Sequence, residues 1–148
     1  MKKNNHLDRF IEAQQNQYDI ALSEIKQGQK RSHWMWYIFP QIKGLGFSET
    51  AKYYAIQDEE EAENYLSHRI LGNRLIEISN TLLNLDQQDP HAIFGSPDDL
   101  KLKSSMTLFS TIPDSDPVFM AVLQKFFDGT KDLKTLRILD ELENNPEK

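Results

Sequence analysis

Lys101-Leu102-Lys103-Ser104-Ser105-Met106-Thr107 places two ammonium groups and three hydroxyls within seven residues. Such a set holds a phosphate or a carboxylate when a helix start adds backbone amides to it. The plainer role is a solvated first turn whose hydroxyls bond local backbone, and these residues by themselves lean towards it. A second concentration is Ser32 to Gln41, SHWMWYIFPQ, which carries both tryptophans beside a histidine. As a helix it sets Trp34 with Ile38 and Met35 with Phe39; extended, it alternates Trp34, Trp36 and Ile38 with His33, Met35 and Tyr37. Large side chains leave the backbone in nearly every direction under both geometries, so the segment is sandwiched or borders a cavity. Indole, phenol and imidazole each require a polar partner when buried. A partly wet pocket meets that requirement, and a central helix packed on all sides meets it equally well.

Arg74 is a third candidate, because it falls on the apolar stripe of Ile70, Leu71, Leu75 and Ile78. A guanidinium there requires an acceptor, either a ligand anion or, more commonly, a structural Asp or Glu. For acid–base work the chain offers His33 and His68 as weak candidates, although a lone histidine at a helix boundary is more often structural. The four histidines are scattered, so no metal site is expected, and the absence of cysteine excludes disulfides and thiolate chemistry. The sequence contains no G-x-x-x-x-G-K-[ST], G-x-S-x-G or H-E-x-x-H pattern. Gly44-Leu45-Gly46 lacks the third glycine and the preceding strand of a dinucleotide fingerprint.

The elements that position these residues read as helices. Leu7, Phe10, Ile11, Gln14, Tyr18, Ala21, Leu22 and Ile25 follow helical spacing for about five turns, with Gly28 as a stop. Pro40 disfavours helical geometry at Phe39, and Gln41 to Ser48 reads as a loop with Ser48 capping a short helix through Tyr54. Asp58 and Glu61 form a capping-box pattern opening a helix to about Ser67, its acidic block Asp58 to Glu63 a solvated start. Ile70 to Leu85 carries a long amphipathic stripe. Asp89-Pro90, Ser96-Pro97 and Asp116-Pro117 each open a further helix, while KLKSSMTLF is open between helix and extended loop. Leu133, Leu136, Leu139 and Leu142 mark a final short helix.

The expectation is an all-α, compact, single-domain bundle of about six to eight helices. Residues 1–6 read as disordered, 7–142 as the helical domain and 143–148 as a frayed tail. With 148 residues such a domain buries about 68–70% of its unfolded surface. No apolar run approaches the roughly 18 residues of a membrane span, and no secretory signal is apparent, which with the cysteine count points to the cytoplasm. A net charge of −6 disfavours broad binding to nucleic-acid backbones, although Lys26, Lys30 and Arg31 form a basic spot before the aromatic run.

SHWMWYIFPQIKGLGFSETAKYYAI, YLSHRILGNRL, IFGSPDDLKLKSSMTLF and VLQKFFDGTKDLKT together resemble, in that order, the bacterial domain-of-unknown-function 1810 family over roughly residues 7–139. HWMWYIFPQ and KSSMTLF make the resemblance specific. It implies a compact helical, cytosolic bacterial protein and no established activity. Tyr54-Ala55 stands where the family often has Tyr-Gly, and Ser67-His68-Arg69 where His-Pro is common, which relaxes those turns. The label calpastatin, sometimes attached to such proteins, does not fit, because calpastatin repeats are disordered. MTLF…LQKFF is thinly similar to helical N-glycosidases acting on ADP-ribose-like or riboflavin-pathway substrates, which makes such ligands worth testing.

The expected function is a small-molecule pocket for a nucleotide or nucleotide-sugar, a phosphate-bearing ligand. His33, Trp34, Trp36, Gln41, Arg74, Lys103, Ser104 and Ser105 are its expected lining; no cofactor, metal or nucleophile is nominated, and whether it is an enzyme is open. The alternatives are a protein-interaction module using a tryptophan-rich surface and, third, single-stranded nucleic-acid binding through Lys30, Arg31, Trp34 and Trp36. No membrane partner is expected, and oligomeric state is left open.

Overall fold

Gln14 shows why local spacing overcounts the length of the first helix. Its buried amide donates to the Tyr37 carbonyl at 2.8 Å and the Tyr65 hydroxyl at 3.1 Å, and accepts from Arg74 at 3.1 Å. The chain turns there, giving α1 (Asp8–Gln14) and α2 (Tyr18–Lys26) in place of one five-turn helix. A computed structural model describes residues 6–144. Residues 1–5 and 145–148, which hold most of the expected disordered start and frayed tail, lie outside the described residues.

Ten helices are present among the described residues, not six to eight. The difference comes from the break after Gln14 and from one-turn segments such as α3 (Met35–Ile38). Capping residues act as expected where the cap is a local matter. Ser48 accepts from Ala51 N–H ahead of α4 (Glu49–Tyr53), Asp58 from Glu61 N–H ahead of α5 (Glu59–Ser67), and Asp89 from His91 N–H ahead of α7 (Pro90–Phe94). Asp116 likewise accepts from Val118 N–H at the start of α9 (Val118–Phe127). The capping box itself is only half formed, because the Glu61 carboxylate turns to Gln57 N–H and Arg9. Ser96 does not cap α8 (Asp98–Ser110): Pro97 occupies the cap position and offers no side-chain bond.

Two helices organise the core. The apolar stripe of α6 (Arg69–Leu83), with Leu71, Leu75, Ile78 and Leu82 buried, packs against α1, α2, α5 and α9; each buried Leu or Ile contributes about 1.5–3 kcal/mol. Only glycine fits at position 72, because a Cβ there would lie 2.1 Å from the Leu66 carbonyl oxygen of α5. The open carbonyls of Leu82, Leu83 and Leu85 at the end of α6 receive the Lys125 ammonium, a C-terminal cap by a cation. The ambiguous KLKSSMTLF segment is helical within α8, whose residues 104–109 are all buried between α5, α7, α9 and α10 (Leu133–Asn144). Six consecutive residues buried on every face display no amphipathic period, so spacing does not distinguish this stretch from extended chain.

Candidate functional site

The two tryptophans part company within one turn. Trp34 is fully buried, with its ring centroid 6.2 Å from that of Phe39 and 6.4 Å from that of Phe94. Its indole N–H donates to Glu24 Oε1 at 2.9 Å. Trp36 stays half-buried at the surface, because α3 lasts a single turn and turns that side chain outwards. Lys101 Nζ lies 4.5 Å from the Trp36 ring centroid, and the indole N–H has no hydrogen-bond partner among the described residues.

Beyond Phe39 the chain is pinned rather than loose. Ile56 N–H donates to the Gln41 carbonyl at 2.8 Å and Lys43 N–H to the Ile56 carbonyl at 2.9 Å, an isolated parallel bridge. Gly46 lets the following loop close down, since a Cβ there would stand 2.7 Å from that of Ala51 and 3.5 Å from the Trp36 ring. The pinned strap leaves a cavity on either side. One, about 180 Å³, is lined by Trp36, Gln41, Lys43, Lys52, Tyr54 and Gln57 among others. The other, about 300 Å³, is lined by Trp36, Gln41, Lys101, Ser104, Asp132 and Lys134 among others. Trp36, Gln41, Leu45 and Gly46 belong to both, so the two form a twin cleft. A groove between Lys43, Lys134 and Arg137 continues it along α10.

Gln41 is the unusual group. It is only 9% exposed and sits between the two cavities, yet its carboxamide has no hydrogen-bond partner among the described residues. Its polar atoms open on the cavities; the buried side-chain polar atom left without a partner among the described residues is Ser105 Oγ. Around it the charge is positive: Lys43, Lys52 and Lys134 have no carboxylate within ion-pair distance among the described residues. Lys101 shares Asp98 with Lys30, at 3.0 and 2.9 Å. Burial pulls the Asp98 carboxyl upwards, but the two lysines outweigh it and hold it below the usual carboxylate range. Burial pushes the Tyr54 phenol above its ordinary value, so it faces the smaller cavity as a neutral hydroxyl.

Of the residues expected to line a site, the structure brings Trp36, Gln41 and Ser104 together. The others lie elsewhere. Trp34 is core, and Ser105 is buried with an unpaired hydroxyl. Lys103 leaves α8 on a different face from Ser104 and lies over the Phe127 ring, 5.8 Å from its centroid. Arg74 spans Gln14 and the Tyr18 ring, the structural use of a guanidinium on an apolar stripe. His68 caps α6, its Nδ1 accepting from Ile70 and Leu71 N–H. His33 is exposed and lines neither cavity. Lys43, Lys52, Asp132 and Lys134 were not anticipated. Only Lys101 had a local signal, since three residues of helix put it on the face of Ser104.

The model of the family described as a protein of unknown function, DUF1810, matches residues 4–139, nearly the whole chain. The chain belongs to the DUF1810 family. Its structure is similar to the crystal structure of a conserved hypothetical protein from Mycobacterium tuberculosis, at 44% sequence identity and a TM-score of 0.88. That likeness covers 90% of this chain and 96% of the mycobacterial one. A search of curated proteins returned no match. The all-helical architecture is therefore shared with a protein solved by crystallography, and among the described residues no helix is long and apolar enough to cross a membrane.

Proposed function

We propose that this DUF1810 protein binds a phosphate-bearing small molecule, of the nucleotide or nucleotide-sugar kind, in the twin cleft astride Trp36 and Gln41. The observation that carries this reading is the Gln41 carboxamide, which lines both cavities and bonds no protein group among the described residues. An amide open to a cavity and engaged by no protein group is free to donate to and accept from a ligand. The lysines around it supply counter-charge in a chain of net charge −6, and a positive cleft in an acidic protein concentrates anions. Trp36 adds an indole N–H and apolar ring area for a base or sugar face.

Thermal shift and calorimetry with ADP, NAD, UDP-glucose and pyrophosphate test the reading. Saturation at 100 times the dissociation constant adds about 2.7 kcal/mol, or roughly 5–10 °C for a chain of this length. A flat response to all four compounds removes the reading. Gln41→Met sharpens the test. Stability is expected to change by less than about 1 kcal/mol, because the amide bonds no protein group among the described residues. Ligand binding is expected to fall at least tenfold. A purely structural Gln41 would give the opposite pattern, lost stability with binding intact.

A protein-docking role has one supporting observation: Phe47, Leu133 and Leu100 are 76%, 73% and 58% exposed and adjoin cleft residues Gly46, Asp132, Lys134 and Lys101 in the chain. The tryptophans themselves form no exposed patch, since Trp34 is fully covered. That also takes away one of the two stacking platforms that single-stranded nucleic acid would use.

A further inference from the structure

We infer that the twin cleft recognises a vicinal diol through Asp132, so that its ligand is a phosphorylated ribose or sugar with adjacent free hydroxyls. The inference rests on the binding reading above. Asp132 is half-buried in the larger cavity with Trp36, Gln41, Lys101, Ser104 and Lys134. Its position is held from two elements. The backbone N–H donates to the buried Thr107 Oγ1 of α8 at 2.9 Å, and Oδ2 accepts from the N–H (3.0 Å) and hydroxyl of Thr135 in α10. Oδ1 has no partner among the described residues, so one carboxylate oxygen remains for the cavity.

An ionised carboxylate only accepts hydrogen bonds, and it repels a phosphate. Its presence among the lysines therefore fits a ligand that brings hydroxyl donors as well as negative charge. The neighbours complete the set. The Gln41 amide both donates and accepts, and Ser104 Oγ, which donates to the Leu100 carbonyl at 3.2 Å, keeps its lone pairs. Two adjacent hydroxyls, each donor and acceptor, match that inventory, while the phosphate is left to Lys43 and Lys134. A carboxylate bonded to sugar hydroxyls is the chemistry by which dinucleotide-binding folds hold ribose, reached here on helices.

The test is calorimetry of ADP, 2′-deoxy-ADP and pyrophosphate with the full chain and with Asp132→Asn. Asparagine still caps α10, so folding is retained and is checked by the melting temperature. The expected result is ADP binding about tenfold tighter than 2′-deoxy-ADP, the scale of one hydrogen bond to a charged group. In Asp132→Asn that ratio falls at least threefold, because the charge-assisted bond becomes a neutral one, while pyrophosphate binds as well or better. Equal affinities in the wild type, or a preference unchanged in Asp132→Asn, overturn the diol assignment and leave anion binding standing. No binding of any compound, pyrophosphate included, overturns both.

Discussion

Glu24→Gln lowers the stability of the protein by about 3 kcal/mol at neutral pH, a fall of about 10 °C in melting temperature. The buried carboxylate accepts from Arg31 N–H at 2.7 Å, Ser32 N–H at 3.0 Å, the Ser32 hydroxyl and the Trp34 indole at 2.9 Å. A glutamine offers one accepting oxygen and sets an NH₂ against donors. Burial by itself would raise the Glu24 pKa, yet these hydrogen bonds outweigh it and bring it from 4.5 down to about 2. The pH dependence follows from that direction. Above pH 4.5 the contribution is complete; as pH falls towards 2 the unfolded chain takes up the proton first and the stability is lost. Urea unfolding at pH 7, 5 and 3 checks this: the gap between wild type and Glu24→Gln closes towards acid. A gap of the same size at pH 3 and pH 7 would assign the loss to packing instead. Because the same four bonds orient the chain entering α3, the variant also loosens Trp36.

Arg9→Met costs about 3–5 kcal/mol, the penalty of leaving a buried charge without its partner. The Arg9 guanidinium bonds both Glu61 oxygens at 3.2 Å, the Tyr53 and Ala55 carbonyls at 2.7 Å each, and the His6 carbonyl. Glu61 in turn receives Gln57 N–H at 2.9 Å. The pair therefore ties α1 to residues 53–57, the wall of the smaller cavity and the bridge partner of Gln41–Lys43. A double variant, Arg9→Met with Glu61→Leu, recovers only part of the loss, because the Tyr53 and His6 carbonyls lose their Arg9 donor while the Ala55 carbonyl keeps Gln57 Nε2. Denaturant unfolding of the two single variants and the double yields the coupling energy. Recovery to wild-type stability would show that the carbonyl bonds contribute nothing, and a loss below about 1 kcal/mol for Arg9→Met would remove the tie altogether.

Much of the fold was legible because it is local. Caps at Ser48, Asp58, Asp89 and Asp116 act within three residues of themselves, and the stripe of α6 repeats over four turns. Legibility stopped where a side chain's partner lies far along the chain. Nothing near Gln14 announces Tyr65 or Arg74, so the break between α1 and α2 was invisible. Nothing near Ser104 announces Asp132 or Lys134, which α10 delivers from the far end of the sequence. Within the aromatic run, Trp34 and Trp36 are equivalent as residue types; packing on Phe39 and Phe94 and the Glu24 carboxylate make one of them core, and the other is left at the cleft.

The sequence by itself determined that this is a helical DUF1810 domain, where most helices begin, and that Trp36, Gln41 and Ser104 were worth watching. The helix starts follow from spacing and capping, which act over three or four residues; the family follows from motifs such as HWMWYIFPQ and KSSMTLF. Only the tertiary structure decided which tryptophan became core and which became cleft wall, and that Arg74 and His68 serve the scaffold. It alone set the Gln41 amide between two cavities, since a cavity is made by elements that meet in space.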